Sequence, residues 1–374
     1  MKILQIIYES TGNPFGFGGA GVRAYEICKR LQGRHDITFL CMKYPGAINC
    51  SIDGLKHIFV GAESRSLTRS VLEYTIKAAQ FVRKHGDDFD VIVENFLPST
   101  PFFSKFITRK PVILQVQGIM EKHSLKKFSP LYSVPMYSVE QFYPGLYDRF
   151  IFVSEVTKKK IMQRVKRKVA SCHVIPNGID EALLKIVPGE KDYILFLSRI
   201  DIYTKGLDIL VKAFATISRT HPGMRLVLAG YAFDQVDALL TGLPSSLRER
   251  IQYAGFVSGE EKMNLLSNAK LFVLPSRHES APISILEAAA CAKPVIVSDI
   301  PELGFVREAG FGLSFSSGSV DGLTRQIDFL LGDSTARVAM GSRGREYAGQ
   351  FLWDRIALQF EDSLQYVIRS PVIE

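Results

Sequence analysis

The feature that most constrains this chain is an alternation of short apolar runs with helical patterns, which begins at residue 2 and restarts at residue 193. In the first half the runs are 2–8, 37–41, 57–60, 90–94, 111–116 and 150–153. In the second they are 193–198, 225–229, 251–254, 271–274 and 294–298. They are rich in Val, Ile, Leu and Phe without strict alternation, which suits strands covered on both faces of a parallel sheet. Between them Ala24, Ile27, Cys28 and Leu31 share one helical face, and Leu207, Leu210, Val211 and Phe214 share another. The alternation predicts an α/β chain with doubly wound sheets. Because the pattern restarts, two Rossmann-like domains are expected, 1–186 and 187–352, with a break near Val187-Pro188-Gly189-Glu190. The closing stretch 353–374 is long enough to return to the first domain as a helix. The cleft between two such sheets, at the carboxyl ends of their strands, is the expected ligand site.

Other classes fall away on simple grounds. No apolar run approaches the roughly 18 residues that span a bilayer. The start, MKILQIIYES, lacks a small-residue cleavage site and reads as a first strand. The cysteines at 28, 41, 50, 172 and 291 are odd in number and form no CxxC, so a zinc ribbon or disulfide scaffold is not expected and a cytoplasmic home is. The net charge of +8 is uneven: residues 1–186 carry 27 Lys and Arg against 16 Asp and Glu, and the rest carry 19 against 22. A basic half suits an anionic membrane surface, nucleic acid or a phosphorylated substrate.

Five segments carry chemistry. Gly16-Phe17-Gly18-Gly19-Ala20-Gly21 matches GxGxxG between a strand and a helix. The strand 37–41 ends without the acidic residue that would hold a ribose, which argues against a dinucleotide. Gly18 and Gly19 at a helix N-terminus instead let backbone N–H groups approach a phosphate or sugar. Asp88-Phe89-Asp90 is a DxD, but Asp90 opens a strand at the edge opposite the usual ligand edge, so no metal is expected there. Arg199 follows the strand 193–198 directly, and Lys205 precedes Gly206 at a helix start; two cations there can neutralise an anionic leaving group. In the stretch 275–288, PSRHESAPISILEA, Glu279 falls in a loop at a strand's carboxyl edge and Glu287 on the following helix, with Ser280 a candidate N-cap. Val174-Ile175-Pro176-Asn177-Gly178-Ile179-Asp180 is turn chemistry entering the linker.

Taken in order, these pieces resemble the retaining glycosyltransferases of family 4, the "group 1" glycosyl transferases. They are Gly18-Gly19, the turn 174–180, Arg199 with Lys205-Gly206, Pro275-Ser276, Glu279 to Glu287, LEAAACAKPVIVSD at 286–299 and Trp353. The resemblance implies the GT-B fold, two Rossmann-like doubly wound domains facing across a cleft, with a first domain for the acceptor and a second for a UDP- or GDP-linked sugar donor. It places Arg199 and Lys205 at the donor diphosphate, Glu279 by the donor sugar, and Glu287 on the ribose hydroxyls. Gly18, Gly19, Ile283 and Ser284 join them as substrate contacts. It also implies retention of anomeric configuration, with no metal and no cofactor. Two positions depart from the family pattern. Ser280-Ala281-Pro282 stands where Gly-Phe-Gly is usual, and Pro282 has no N–H to offer. Gln117-Gly118 stands where His-Gly is common; Gln117 can hydrogen-bond a sugar hydroxyl but cannot take a proton at neutral pH.

The expected function is transfer of a hexose-type sugar to a glycan or lipid-linked acceptor in cell-surface polysaccharide or glycolipid synthesis. The alternatives are a GT-B sugar-nucleotide epimerase and a non-catalytic GT-B scaffold that binds glycans or partners. Lys158–Lys168 holds seven basic residues in eleven with no acid, and reads as an amphipathic basic helix. With Lys122, Lys126 and Lys127 and the aromatics Phe128, Tyr132, Tyr137, Phe142, Tyr143 and Tyr147, it predicts peripheral contact with an anionic inner membrane face. No nucleic-acid module is present.

Overall fold

The computed structural model describes residues 1–14, 16–127, 129–232 and 235–370. The chain divides into two compact units: Met1–Asn177 with the segment from Trp353, and Gly178–Leu352.

The first unit is built on β1 (Lys2–Ile6), β2 (Asp36–Met42), β3 (Cys50–Ile52), β4 (Leu55–Val60), β5 (Val91–Asn95), β6 (Val112–Val116), β7 (Arg149–Phe152) and β8 (Ser171–Val174). Their order across the sheet is β3-β4-β2-β1-β5-β6-β7-β8. In this sheet β3 runs antiparallel to β4, and the other pairs are parallel. Every residue of β5, β6 and β7 is buried, the outcome expected of strands covered on both faces. The chain leaves β1 toward β2 and later returns to its other side as β5. The junction of β1 and β5 is therefore the point where the winding reverses, and the carboxyl edge there is where such sheets hold ligands.

The second unit repeats the plan with β9 (Tyr193–Leu197), β10 (Arg225–Ala229), β11 (Ile251–Gly255), β12 (Leu271–Leu274), β13 (Val295–Ser298) and β14 (Gly312–Phe315). The order is β11-β10-β9-β12-β13-β14, and the pairs are parallel. Here the winding reverses between β9 and β12. Helix Leu207–Thr220 turns Leu207, Leu210, Val211 and Phe214 into the core, as their spacing predicts.

Three differences from the sequence reading have physical causes. Strands β3, β8 and β14 have no counterpart among the apolar runs. All three lie at sheet edges, where one face needs no continuous hydrophobic cover. The division between units falls at Gly178 rather than at 187, because Ile179 and Leu183 are buried in the second unit's core and Ile179 N–H donates to Phe351 O at 2.7 Å. The basic stretch is not one helix: the helix spans Glu155–Met162 and stops before Arg164. Continuing it would stack Lys160, Arg164 and Lys168 four residues apart, where like charges repel.

Helix Trp353–Arg369 packs on helix Gly19–Leu31 within the first unit. Its buried face is Trp353, Ile356, Phe360, Leu364 and Val367. Arg30 meets Asp354 at 3.0 Å and His35 meets Glu361 at 2.6 Å.

Candidate active site

In the second unit the candidate residues gather at the carboxyl edge of β9 and β12, the winding reversal. The loop after β9 is shaped by Asp201, whose carboxylate accepts the Thr204 N–H at 3.0 Å while its carbonyl accepts the Lys205 N–H at 2.9 Å. Gly206 closes the loop with φ +67, and a Cβ there would lie 2.0 Å from Pro275 O. Only glycine satisfies both demands. The loop after β12 is tied to it: Arg277 N–H donates to Thr204 O at 2.9 Å, and its guanidinium grips Asp208 through two bonds of 2.8 and 2.7 Å. It also lies over the Tyr203 ring.

This zip brings Lys205 onto Glu279. Their Nζ and Oε1 are 2.6 Å apart, and Ser276 Oγ donates to the same oxygen at 2.7 Å. Glu279 is buried, so its charge is held by these two donors. Arg199 stands apart, about half exposed, with Nη2 at 3.8 Å from Asp201. Glu287 lies on helix Ile283–Ala290 and pairs with Lys262 of helix Gly259–Asn268 at 2.6 Å. Pro282, not Ser280, is the N-cap. Proline's fixed φ suits entry to a helix, and its missing N–H is no loss there. Ile283 and Ser284 are the first helical residues, so their N–H groups have no acceptor within the helix. Arg277, Asp208 and Lys262 carry no sequence signal of these roles, since their partners are 69 and 25 residues away, and Ser276 shows its role only once its loop folds back on Glu279.

In the first unit Gly18 is the N-cap of helix Gly19–Leu31. Its N–H and that of Gly21 both donate to Glu9 Oε2, at 2.9 and 2.6 Å. A buried carboxylate just past the first apolar run therefore satisfies this helix start, and the Gly18 N–H does not face outward as expected. Arg23 of the same helix is fully buried and donates to Pro176 O at 2.6 Å and Asn177 Oδ1 at 3.1 Å. Burial pulls its guanidinium down to about 9. Gln117, just past β6, bonds Asn95 Oδ1 at 2.6 Å. Glu94 of β5 is buried and accepts from Tyr143 Oη at 2.5 Å and Tyr147 Oη at 2.9 Å. These two aromatics thus belong to the core and not to a surface.

The DxD lies at the amino end of β5. Asp90 Oδ2 accepts the Lys2 N–H at 2.7 Å, at the amino end of β5. Among the described residues no group of three or more His, Cys, Asp or Glu side chains is placed to hold a metal ion.

The basic segment is partly neutralised from outside itself. Lys160 and Arg164 pair with Glu121 at 2.8 and 3.2 Å, Arg164 reaches Glu140 at 3.5 Å, and Lys158 pairs with Glu155. Lys159, Lys166 and Lys168 stay exposed. Those pairs fix the segment beside helices His123–Lys127 and Pro130–Phe142, whose Leu125, Leu131, Tyr132, Val134 and Phe142 are all exposed. Phe128 lies outside the described residues. No helix of the described residues is long and apolar enough to cross a membrane.

Two family models together span both units. Residues 185–347 match the glycosyl transferases group 1 model and residues 17–183 match the glycosyltransferase family 4 model. The chain belongs to the group 1, family 4 glycosyltransferases. It is 29% identical over 96% of its length to the glycogen synthase of Mycobacterium tuberculosis, covering 92% of that protein. It is 28% identical over 58% of its length to a GDP-mannose-dependent alpha-(1-6)-phosphatidylinositol monomannoside mannosyltransferase of the same organism, covering 62% of that relative. It is also 30% identical over 192 residues to one phosphatidylinositol N-acetylglucosaminyltransferase component of Arabidopsis thaliana, half of this chain and 43% of that relative. Among solved structures, Anabaena HepE in complex with UDP and glucose superposes with a TM-score of 0.76 at 19% identity, covering 98% of this chain and 99% of that one. The two parallel sheets and these neighbours are the GT-B fold.

Proposed function

We propose that this glycosyltransferase moves a hexose-type sugar, with retention of configuration, from a UDP- or GDP-linked donor to a glycan or lipid-linked acceptor in cell-surface polysaccharide or glycolipid synthesis. The observation that carries it is the contact of Lys205, Ser276 and Glu279 at the winding reversal of the second sheet, with Arg199 on the same loop as Lys205 and helix Ile283–Ala290 starting four residues after Glu279. Two cations and the free N–H groups of a helix start form an anion site suited to a departing nucleoside diphosphate. Arg199 is the half-exposed member, while Lys205 is held ready by Glu279. Charge neutralisation by these two side chains supplies what a divalent ion supplies in other transferases, so no metal is needed. Glu279 lies by the donor sugar, and Glu287 exchanges Lys262 for the ribose 2′- and 3′-hydroxyls.

An anionic membrane is the proposed surface partner. The exposed side chains Leu125, Leu131, Tyr132, Val134 and Phe142 provide depth of contact. Lys122, Lys126, Lys159, Lys166 and Lys168 around it each add about 1 kcal/mol near anionic lipid. Such an enzyme works at the inner face of the membrane.

Nucleotide binding tests the donor assignment. Hydrogen bonds to a charged group contribute roughly 1.5–3 kcal/mol. UDP or GDP should therefore bind much more tightly than its 2′-deoxy analogue, and Glu287→Ala should weaken the ribonucleotide and erase most of that preference. A 2′-deoxy penalty that survives in Glu287→Ala removes Glu287 from the ribose.

A further inference from the structure

Four carboxamides meet at the carboxyl edge of the first sheet, where its winding reverses. Gln5 lies near the end of β1, Asn95 ends β5, Gln115 lies near the end of β6, and Gln117 follows it. Gln5, Asn95 and Gln115 are buried, and Gln117 is partly exposed.

The direction of every amide in this row follows from backbone carbonyls, which can only accept. Asn95 Nδ2 lies 3.2 Å from Ile6 O and 3.1 Å from Gln5 Oε1, so the nitrogen must be on that side. Asn95 Oδ1 is then the acceptor on the other side, and it receives Gln115 Nε2 and Gln117 Nε2, each at 2.6 Å. The remaining proton of Gln117 Nε2 faces Ala20 O at 3.4 Å. Both donors of Gln117 are engaged within the protein, and only its Oε1 is left to meet a ligand.

We infer that Asn95 is a positioning residue that locks Gln117 as an acceptor-only contact, so that position 117 selects a substrate hydroxyl and rejects a group that can only accept. The inference rests on the proposed sugar transfer and on the contact with a sugar hydroxyl that the family resemblance leads one to expect of Gln117. No member of the row titrates between pH 5 and 9. The preference is therefore independent of pH, unlike that of a histidine at the same place. A substrate bearing a carbonyl or carboxylate toward Oε1 would set two acceptors against each other, whereas a hydroxyl can turn its proton to it.

The test uses full-length protein and whichever of UDP-glucose and GDP-mannose the wild type consumes, with the mono-deoxy analogues of that donor. In wild type one deoxy analogue should lose roughly 2–10-fold in kcat/KM, the range for one neutral hydrogen bond. Gln117→Ala should lose a similar factor on the parent donor and no longer distinguish that analogue. Asn95→Leu should do the same, and the double variant should be no worse than either single one, because both remove one contact. Gln117→Glu needs no change at the buried site. At pH 8 it would point a carboxylate at Asn95 Oδ1 and Ala20 O, so it should be poorer than Gln117→Ala and recover as pH falls toward 5.

Wild-type kcat/KM in Gln117→Ala would overturn the reading of position 117 and the inference with it. If Gln117→Ala is impaired, two results overturn the inference alone. One is losses that add in the double variant. The other is Gln117→Glu matching wild type at pH 8. An Asn95→Leu protein that fails to fold leaves Gln117→Glu to decide.

Discussion

Lys205 and Glu279 hold each other in a buried contact, and this changes what a substitution at either reports. Removing Lys205 leaves the Glu279 carboxylate with Ser276. Breaking such a pair costs about 3–5 kcal/mol. A slow Lys205→Ala enzyme would therefore mix lost chemistry with lost stability. Arg199 is half exposed and meets Asp201 only at 3.8 Å, so its loss reports on chemistry more cleanly. Ala292 offers a residue-scale test of the backbone. It sits in the left-handed region at φ +55, between helix Ile283–Ala290 and β13. An L-residue pays roughly 1–2 kcal/mol there, and glycine does not. Ala292→Gly should raise stability by about 1 kcal/mol in urea unfolding, after the greater freedom of glycine in the unfolded chain is subtracted. Unchanged or lower stability would show that the methyl group makes compensating contacts. At this scale the placement of Arg199 and Glu279 past strands, of Lys205 before a glycine cap and of Glu287 on a helix was legible in the sequence. Their contacts with Ser276, Lys262 and Asp201, and the capping role of Glu9, were not, since no residue pattern marks them: Ser276 and Asp201 reach Glu279 and Arg199 through the folding of their own loops, and Lys262 reaches Glu287 from another helix.

Among the elements, β5 carries an unusual burden in Glu94. Burial raises its carboxyl above the ordinary range, against the opposing donors Tyr143, Ser104 and Tyr147. A folded-state value above the unfolded one favours the protonated fold. That stability is complete below the unfolded value of about 4.3 and is lost as pH rises through the folded value. Glu94→Gln cannot ionise. The difference in unfolding free energy between the two proteins should shift in favour of the variant as pH rises from about 4 to 7. A difference that stays flat across this range would mean that the tyrosines fully compensate the charge. Helices His123–Lys127 and Pro130–Phe142 make the second element-scale case. The sequence pointed to membrane contact through a long basic helix, but the helix stops at Met162 and acids from 121 and 140 take two of its cations. What remains is an apolar face with a basic rim. Co-sedimentation with anionic vesicles should fall as salt rises. It should also fall when Leu131, Val134 and Phe142 are replaced together by Ser. Salt-independent binding, or full binding by the triple variant, would remove this face from the contact.

For the molecule as a whole, the repeated strand–helix pattern was enough to foresee two doubly wound sheets, since β1, β2, β4 to β7 and β9 to β13 each coincide with one of the apolar runs. The edge strands β3, β8 and β14 lacked that signature. The division at Gly178 was hidden because Ile179 and Leu183 look like linker residues until a core is seen around them. The second unit is proposed to carry the chemistry of sugar transfer from a nucleotide sugar. Release of nucleoside diphosphate from UDP- and GDP-sugars, with and without glycan and lipid-linked acceptors, measures it most directly. Wild type should turn over at least one donor. Arg199→Ala should lower kcat by roughly 10²–10³, the loss expected for one preorganised electrostatic donor, with an unchanged Tm. A wild-type kcat in Arg199→Ala would remove Arg199 from the chemistry, and no turnover of any nucleotide sugar by the wild type would rule out this transfer.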